Sequence, residues 1–308
     1  MMKIAITGGT GFVGTRLVQQ LSKAGESIVV LTRNKQRGER VFPKKGFPKV
    51  EIVEYNPMES GSWQEEIASS EAIVNLAGAG IADQPWTTER KQEILDSRIK
   101  TTQYIVEVIK QAETKPQVLV NASAVGYYGT SETATFDETS NAGDDFLASV
   151  CQKWEATAKE VETTETRLVI LRFGIVLGEG GALGKMLTPF RLFAGGPLGT
   201  GKQWFSWIHI DDLVNLIQEA IKSPGYQGIY NATAPNPVRM SELCENLGEV
   251  MNRPSWLPVP DFALKLLLGE AAQAVLEGQK VLPKRTQEQG FSYQYSTVKP
   301  ALANIVQQ

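Results

Sequence analysis

One histidine in 308 residues, His209, leaves no second imidazole for a multi-histidine metal site and no ordered partners for a nucleophilic triad, so no metal is expected. The two cysteines, Cys151 and Cys244, lie far apart without a CxxC spacing or a histidine companion. That argues against a disulfide framework and against structural zinc, and it suits a reducing compartment. No apolar run approaches the ~20 residues that span a bilayer, so no membrane partner is expected. A formal net charge of −3 provides no broad basic surface, which argues against nucleic acid as a partner. The chain starts almost directly with an apolar run, leaving no room for a charged segment, an h-region and a cleavage site. A cytoplasmic location, or the equivalent stroma of an organelle, is therefore expected. There is no internal repeat and no low-complexity tract.

What is present begins with an ordinary balance of 42% hydrophobic and 21% charged residues. The length exceeds a usual single domain and predicts a main domain with a smaller appended lobe. Lys3 to Thr7 is a short apolar run fit for a buried strand. Phe12, Val13, Leu17, Val18 and Leu21 then recur at helical spacing. Between them lies Thr7-Gly8-Gly9-Thr10-Gly11-Phe12-Val13-Gly14. A strand, a glycine turn and a helix in that order form the phosphate-binding corner of a dinucleotide fold. Gly8 permits the tight turn, Gly11 lets a pyrophosphate approach the backbone, and Gly14 lets helix and strand pack closely. The amides of Gly11, Phe12 and Val13, with Thr10 beside them, then face phosphate at the positive end of the helix.

Ser27 to Thr32 is a second strand-like run and completes a βαβ unit. An adenosine ribose meets the end of this strand, where NAD-selective proteins place an acid. Here Thr32-Arg33 stands there, followed by Lys35, Arg37 and Arg40, with no acid from Ser27 to Gly38. A guanidinium fork suits a 2′-phosphate, so NADP(H) is the expected cofactor; a solvated loop charge is the plain alternative for Arg33. Gly38 to Pro48 reads as a surface loop, Val50 to Tyr55 as a third strand and Trp63 to Ser69 as a helix. A fourth strand, Ala72 to Leu76, runs into Leu76-Ala77-Gly78, small residues that let a flat ligand lie on the backbone or simply make a tight turn. A long helix is predicted over Thr87–Ala112, a strand over Gln117–Ala122, a helix over Asp145–Val161 and a strand over Thr166–Phe173.

With TGGTGFVG, NLAG, the Ser123-Ala124-Val125-Gly126-Tyr127-Tyr128-Gly129 segment and Trp207-Ile208-His209-Ile210-Asp211-Asp212 in view, the chain resembles the extended short-chain dehydrogenase/reductases. The tail from Asp261-Phe262-Ala263-Leu264-Lys265 to Leu282-Pro283 is similar to one subgroup, the sugar-nucleotide epimerase-like "epimerase family protein" set, SulA-like or of giant-chloroplast type. The resemblance implies an α/β fold: a Rossmann-type doubly wound parallel sheet of about seven strands with a smaller, mostly helical C-terminal lobe. It also implies cofactor contacts at Thr32, Arg33, Leu76, Ala77, Glu93, Arg98 and Val176. In such reductases a Ser or Thr after the fifth strand and a Tyr-x-x-x-Lys on the next helix carry the chemistry. Tyrosine moves the proton, and lysine grips the nicotinamide ribose and lowers the tyrosine's pKa.

Ser149-Val150-Cys151-Gln152-Lys153 has that register but carries serine for tyrosine, and the Ser/Thr position falls on Ala124 with Ser123 adjacent. An alkyl hydroxyl cannot replace a phenol as an acid/base. Lys153 is either the ribose lysine or an exposed helix lysine. Tyr127 and Tyr128 can substitute for the missing phenol, or can wall a pocket. The expected division is a cofactor domain at about 1–177 with a return segment near 205–232, and a substrate-side lobe at 178–204 and 233–308. Gly178 to Gly184 reads as a flexible loop, Leu183 to Ala194 as a helix and His209 as structural. Short helices are expected near Ser241–Met251, Phe262–Leu268 and Glu270–Leu276; Arg239, Lys280 and Arg285 are candidates for an anionic substrate. Two functions stand: an NADP(H)-dependent epimerase or oxidoreductase on a hydroxylated or carbonyl substrate such as a nucleotide sugar, or a non-catalytic NADP(H)-binding sensor or scaffold, possible in a division process. A homodimer through the two long helices is the expected assembly.

Overall fold

The computed structural model describes residues 1–307. The first half runs β1 (Lys3–Thr7), α1 (Phe12–Lys23), β2 (Ser27–Thr32), α2 (Lys35–Val41), β3 (Val50–Glu54), α3 (Trp63–Ala68), β4 (Ala72–Asn75), α4 (Thr88–Gln111) and β5 (Val118–Ala124). After a 3-10 turn at Val125–Tyr128 come β6 (Thr135–Phe136), α5 (Phe146–Lys159), β7 (Arg167–Phe173) and β8 (Ile175–Leu177). Then follow α6 (Gly181–Arg191), β9 (Trp204–Phe205), β10 (Trp207–His209), α7 (Ile210–Lys222), β11 (Gly228–Ala232), β12 (Val238–Arg239) and α8 (Met240–Met251). The tail holds α9 (Asp261–Leu268), α10 (Gln273–Leu276), β13 (Lys280–Val281), α11 (Lys284–Glu288) and α12 (Val298–Val306).

Among the described residues, seven strands make one sheet in the order β3-β2-β1-β4-β5-β7-β11, and every adjacent pair is parallel. Burial on both faces explains the near-continuous apolar runs of these strands. Ile4, Ile6, Val30 and Val74 pack with Leu17, Val18 and Leu21 of α1 and with Leu213, Leu216 and Ile217 of α7. The alternate residues Ala5, Leu31, Ile73 and Leu119 face Ile67 of α3, Ile105 and Ile109 of α4 and Ala158 of α5. Strand order reverses between β1 and β4, so the crevice at their carboxyl ends is where a doubly wound sheet takes a ligand. A second core joins α6, α8 and α12 around Trp207, Phe190 and Leu243. No helix among the described residues is long and apolar enough to cross a membrane.

The segment expected as a loop from Gly38 begins inside α2 instead. Asn34 caps this helix by accepting from the Arg37 amide at 2.8 Å. A Cβ at Gly38 would stand 2.6 Å from Ile52 Cγ2, so glycine here serves close packing on β3. Likewise the 178–184 stretch is seated: Cβ atoms at Gly178 and Gly180 would lie 2.7 and 2.8 Å from the Phe12 ring. The two-residue strands and α12 are further elements that hydrophobic periodicity did not announce.

Candidate cofactor and active site

At the switch point the backbone is bare. Gly8 has φ +68°, and a Cβ on it would sit 2.7 Å from Leu76 O, so the β1 turn lies directly on the end of β4. Gly14 meets the same turn from α1, where a Cβ would come within 2.3 Å of Gly8 O. Gly11 is exposed, and a Cβ there would meet only Gly8 O at 3.1 Å. It is also the N-cap residue of α1; no side chain caps the helix and its first turn holds no acid. The first amides of α1, at Phe12 and Val13, are therefore left for an anion, with Thr10 half-buried beside them.

At the end of β2, Thr32 is buried and its hydroxyl accepts from the Asn34 amide at 3.3 Å. Arg33, Lys35 and Arg37 are all exposed, and none forms an ion pair among the described residues. At the end of β4, Leu76 is half-buried, Ala77 buried and Gly78 exposed. Arg98 reaches this edge from α4: its Cζ would be 3.0 Å from a Cβ on Gly78. Its Nη1 donates to Ile94 O at 2.9 Å, and the guanidinium stands 5.2 Å from the Trp154 ring centre. Burial holds its pKa below the ordinary value, with Cys151 raising it and Arg90 lowering it further. No carboxylate pairs with Arg98 among the described residues.

Glu93 is more remote. Its carboxylate takes Arg90 Nη1 at 2.6 Å, and Arg90 also donates to Gly80 O, so Glu93 acts on the loop after β4 through Arg90. Ser97 pins the same loop by accepting from the Ala79 amide at 3.0 Å. Val176, half-buried on β8, packs against the main core beside the Phe12 clasp.

The wall formed by β5, α5 and β7 differs from the expectation. Ser123 is buried and donates to Glu155 Oε1 at 2.7 Å. Glu155 in turn takes Arg172 through Nε and Nη2, both at 2.8 Å. Burial alone would lower the Arg172 pKa, but the Glu155 carboxylate outweighs it and holds the pKa above its ordinary value. Arg172 Nη1 donates to the Tyr128 hydroxyl at 2.9 Å, and that hydroxyl donates to Asn231 Oδ1 at 2.7 Å. Burial pushes the Tyr128 pKa up to about 12. Tyr128 is thus a satisfied core phenol, its hydroxyl committed to Arg172 and Asn231. Tyr127 is half-buried with Arg172 Cζ 3.3 Å from its ring centre, and its hydroxyl has no partner among the described residues.

On α5 a different stripe meets the sheet. Lys153 is exposed, and Ser149 is half-buried. The stripe that meets β5 is Leu147, Cys151 and Glu155: Cys151 Sγ donates to Ala124 O at 3.7 Å, and Leu147 Cβ would lie 3.4 Å from a Cβ on Gly126. Residues two positions along a helix point about 200° apart, so Ser149 and Lys153 cannot share this stripe. On this stripe Leu147 and Cys151 stand four residues apart, and neither a tyrosine nor a lysine lies on it. Burial pushes the Cys151 thiol up to about 11, so it stays neutral.

His209 caps α7 itself, its Nδ1 accepting from the Asp211 amide at 3.1 Å, while Asp211 pairs with Arg16 at 2.6 Å. Burial drops its pKa to about 4. Arg285 donates to Ile229 O and Gln227 O, a structural role. Arg239 and Lys280 both stand over Trp204, at 3.8 and 4.9 Å. Sequence reasoning passed over Glu155, Arg172, Leu147 and Cys151, and also the buried chain Thr7–Asn75–Asn121 with Thr102, whose links run at 2.7–2.9 Å. A charged Glu155 on an otherwise apolar helix face was the one available signal.

Comparison with known proteins places this arrangement. The family model described as "NAD dependent epimerase/dehydratase family" matches residues 4–232, and a domain of unknown function, DUF1731, matches residues 259–305. The chain is 54% identical over 309 residues to the chloroplastic "Epimerase family protein SDR39U1 homolog" of Arabidopsis thaliana, covering 99% of this chain and 87% of that one. The crystal structure of human epimerase family protein SDR39U1 (isoform 2) with NADPH superposes with a TM-score of 0.87 at 35% identity, covering 100% of both chains. A nucleoside-diphosphate sugar epimerase from Corynebacterium glutamicum gives 0.77 at 29% identity, covering 99% of this chain and 58% of that one. The glycine corner, the all-parallel sheet and these full-length likenesses agree: the chain belongs to the NAD dependent epimerase/dehydratase family.

Proposed function

We propose that this protein binds NADP(H) at the β1–β4 junction and acts as an oxidoreductase or epimerase on a hydroxylated or carbonyl small molecule of nucleotide-sugar type. The observation that carries the cofactor is the bare corner at Gly8, Gly11 and Gly14, with Arg98, a partly buried cation without a carboxylate, against Gly78 at the end of the adjacent strand. The donor set fits: amides at the start of α1 suit a pyrophosphate, and exposed Arg33 and Lys35 suit a 2′-phosphate. The human relative crystallised with NADPH supports the same choice, and the Corynebacterium relative's name supports the substrate class.

When bound, the nicotinamide supplies a hydride donor or acceptor. The chain's own contribution is to hold phosphate at the Phe12 and Val13 amides, the Gly11 amide being spent on Gly8 O at 3.0 Å, to keep Leu76, Ala77 and Gly78 flat beneath the ligand, and to place Tyr127 for the proton. Tyr127 is preferred because its hydroxyl is uncommitted, whereas that of Tyr128 is spent on Asn231. In this reading residues 1–177 with 205–232 hold the cofactor, and 178–204 with 233–308 face the substrate.

Calorimetry with NADPH and NADH, followed by NADPH absorbance against a carbonyl and nucleotide-sugar panel, tests the proposal. Turnover abolished in Tyr127→Phe and retained in Tyr128→Phe supports it. Absence of heat with either coenzyme sinks it. A second reading, an NADP(H)-binding protein without turnover, is favoured by one observation: the stripe of α5 that meets the end of β5 carries Leu147 and Cys151, neither of which can serve as a phenol acid/base or a ribose-gripping amine. Tight NADPH binding with no turnover across the panel would establish that one.

A further inference from the structure

Arg98 and the α5 stripe, taken together, carry a step beyond cofactor binding, and it rests on the NADP(H) reading above. Two elements converge on one spot at the carboxyl ends of β4 and β5. From α5 come Leu147 and Cys151, a hydrophobe and a neutral thiol. From α4 comes the Arg98 guanidinium, 3.0 Å from a Cβ on Gly78 and 5.2 Å from the ring centre of Trp154 on α5, with the Cys151 side chain raising its pKa. The only acid on that face of α5, Glu155, is already taken by Arg172 at 2.8 Å through two nitrogens. Arg98 spends one N–H on Ile94 O and has no counter-ion among the described residues. A cation removed from water without a carboxylate is costly unless a ligand completes it. A lysine at position 151 would stand beside this guanidinium and be repelled by it. One positive charge fits there, and the chain brings it from α4.

We infer that Arg98 supplies, from α4, the fixed positive charge at the nicotinamide ribose that a lysine of α5 brings elsewhere in the family, and that Cys151 is small and neutral to make room for it. In this role Arg98 touches the coenzyme directly. A guanidinium keeps its proton at any working pH, so it can orient hydroxyls and favour negative charge nearby, but it cannot relay a proton.

The test separates the two ends of the coenzyme. Titrate the full-length protein, by calorimetry, with NADPH and with adenosine 2′,5′-bisphosphate, which lacks the nicotinamide riboside. Arg98→Gln is expected to weaken NADPH about tenfold, the scale of one charge-assisted contact, and to leave the bisphosphate within about twofold. Arg98→Lys should recover most of the loss. In the Arg98→Gln background, Cys151→Lys should also recover NADPH binding, because the amine then arrives from α5; in the wild-type background the same change should weaken it. Equal losses for NADPH and the bisphosphate would overturn the inference, as would unchanged NADPH binding in Arg98→Gln. Should Arg98→Gln fail to fold, Arg98→Lys and Cys151→Lys still decide: strengthened NADPH binding in Cys151→Lys shows the spot was short of charge and overturns it. A wild-type protein that binds neither coenzyme removes the NADP(H) reading itself, a different outcome.

Discussion

The crevice has two walls built on opposite plans. One, from β1, α1 and the end of β4, is backbone: Gly8, Gly11, Gly14 and Gly78 present no side chains, and the first amides of α1 are left uncapped. The other, from β5, α5 and β7, is side chain: Ser123, Glu155, Arg172, Tyr128 and Asn231 close a hydrogen-bonded chain with links of 2.7–2.9 Å. The first wall is incomplete by itself and needs a ligand. The second is complete and needs none. A wall that satisfies all its own polar groups contributes rigidity and shape, so whatever chemistry occurs here must use groups outside that chain, of which Tyr127 and Arg98 are the available ones.

The comparison breaks most easily at Glu155. Its side chain is 3% exposed and that of Arg172 is 2% exposed. Removing one partner of a buried pair costs about 3–5 kcal/mol, because the other charge remains without compensation. Glu155→Ala is therefore expected to lower stability by that amount in urea denaturation. If stability falls by less than about 1 kcal/mol, the second wall is not the closed network described.

A smaller effect belongs to the region behind the first wall, where His209 caps α7. The unfolded chain takes up a proton near pH 6.5, but the folded ring does so only near 4. Below pH 6.5 acid therefore favours the unfolded chain; the stability is fully present above 6.5 and is lost as pH falls towards 4. At 1.36 kcal/mol per unit this amounts to about 3 kcal/mol. Unfolding free energies of the wild type and His209→Asn, which keeps a capping side chain, should differ in slope across this window. Parallel slopes would mean that the ring is not held neutral by burial.

The two walls were unequally legible. The glycine corner could be read from sequence because its requirements are local: a positive φ at Gly8 and contacts of Gly14 with Gly8 lie within a few residues. The doubly wound sheet followed from the alternation of apolar runs and helical spacing. The α5 register could not be read that way. Tyr-x-x-x-Lys spacing can be laid on several starts, and what fixes the stripe is Glu155 meeting Arg172, 17 residues on, and Ser123, 32 residues back. Tyr128 reads as a loop aromatic until Asn231, 103 residues away, is seen to hold it. Gly38 and Gly178 look like loop flexibility in sequence, yet both are demanded by the side chain opposite, Ile52 and Phe12.

Gly14→Ala addresses the first wall directly. The added Cβ would stand 2.3 Å from Gly8 O and 2.6 Å from Gly9 Cα, so α1 must shift from the turn. Overpacking of this kind costs about 1–3 kcal/mol, which is roughly fivefold to 150-fold if it falls on coenzyme affinity. NADPH titration is the readout, with the Glu155–Arg172 network left intact. Affinity within twofold of the wild type would mean that the bare corner is not where the phosphates sit.

The smallest expected effect separates NADP(H) from NAD(H). Arg33 is exposed at the end of β2, and with Lys35 and Arg37 nearby it is one of several cations there. Each therefore carries only part of a 2′-phosphate's charge, and salt screens all of them. Arg33→Ala should weaken NADPH by up to about tenfold at low ionic strength, less in 0.5 M salt at roughly a 4 Å Debye length, and leave NADH unchanged. Gly14→Ala, in contrast, should weaken both coenzymes alike, because both carry the same pyrophosphate. If Arg33→Ala costs NADH as much as NADPH, the residue is bracing the fold at β2 and not selecting the phosphate. The cationic cluster would then be a solvated face, and the basis for choosing NADP(H) from this chain's own residues would be gone.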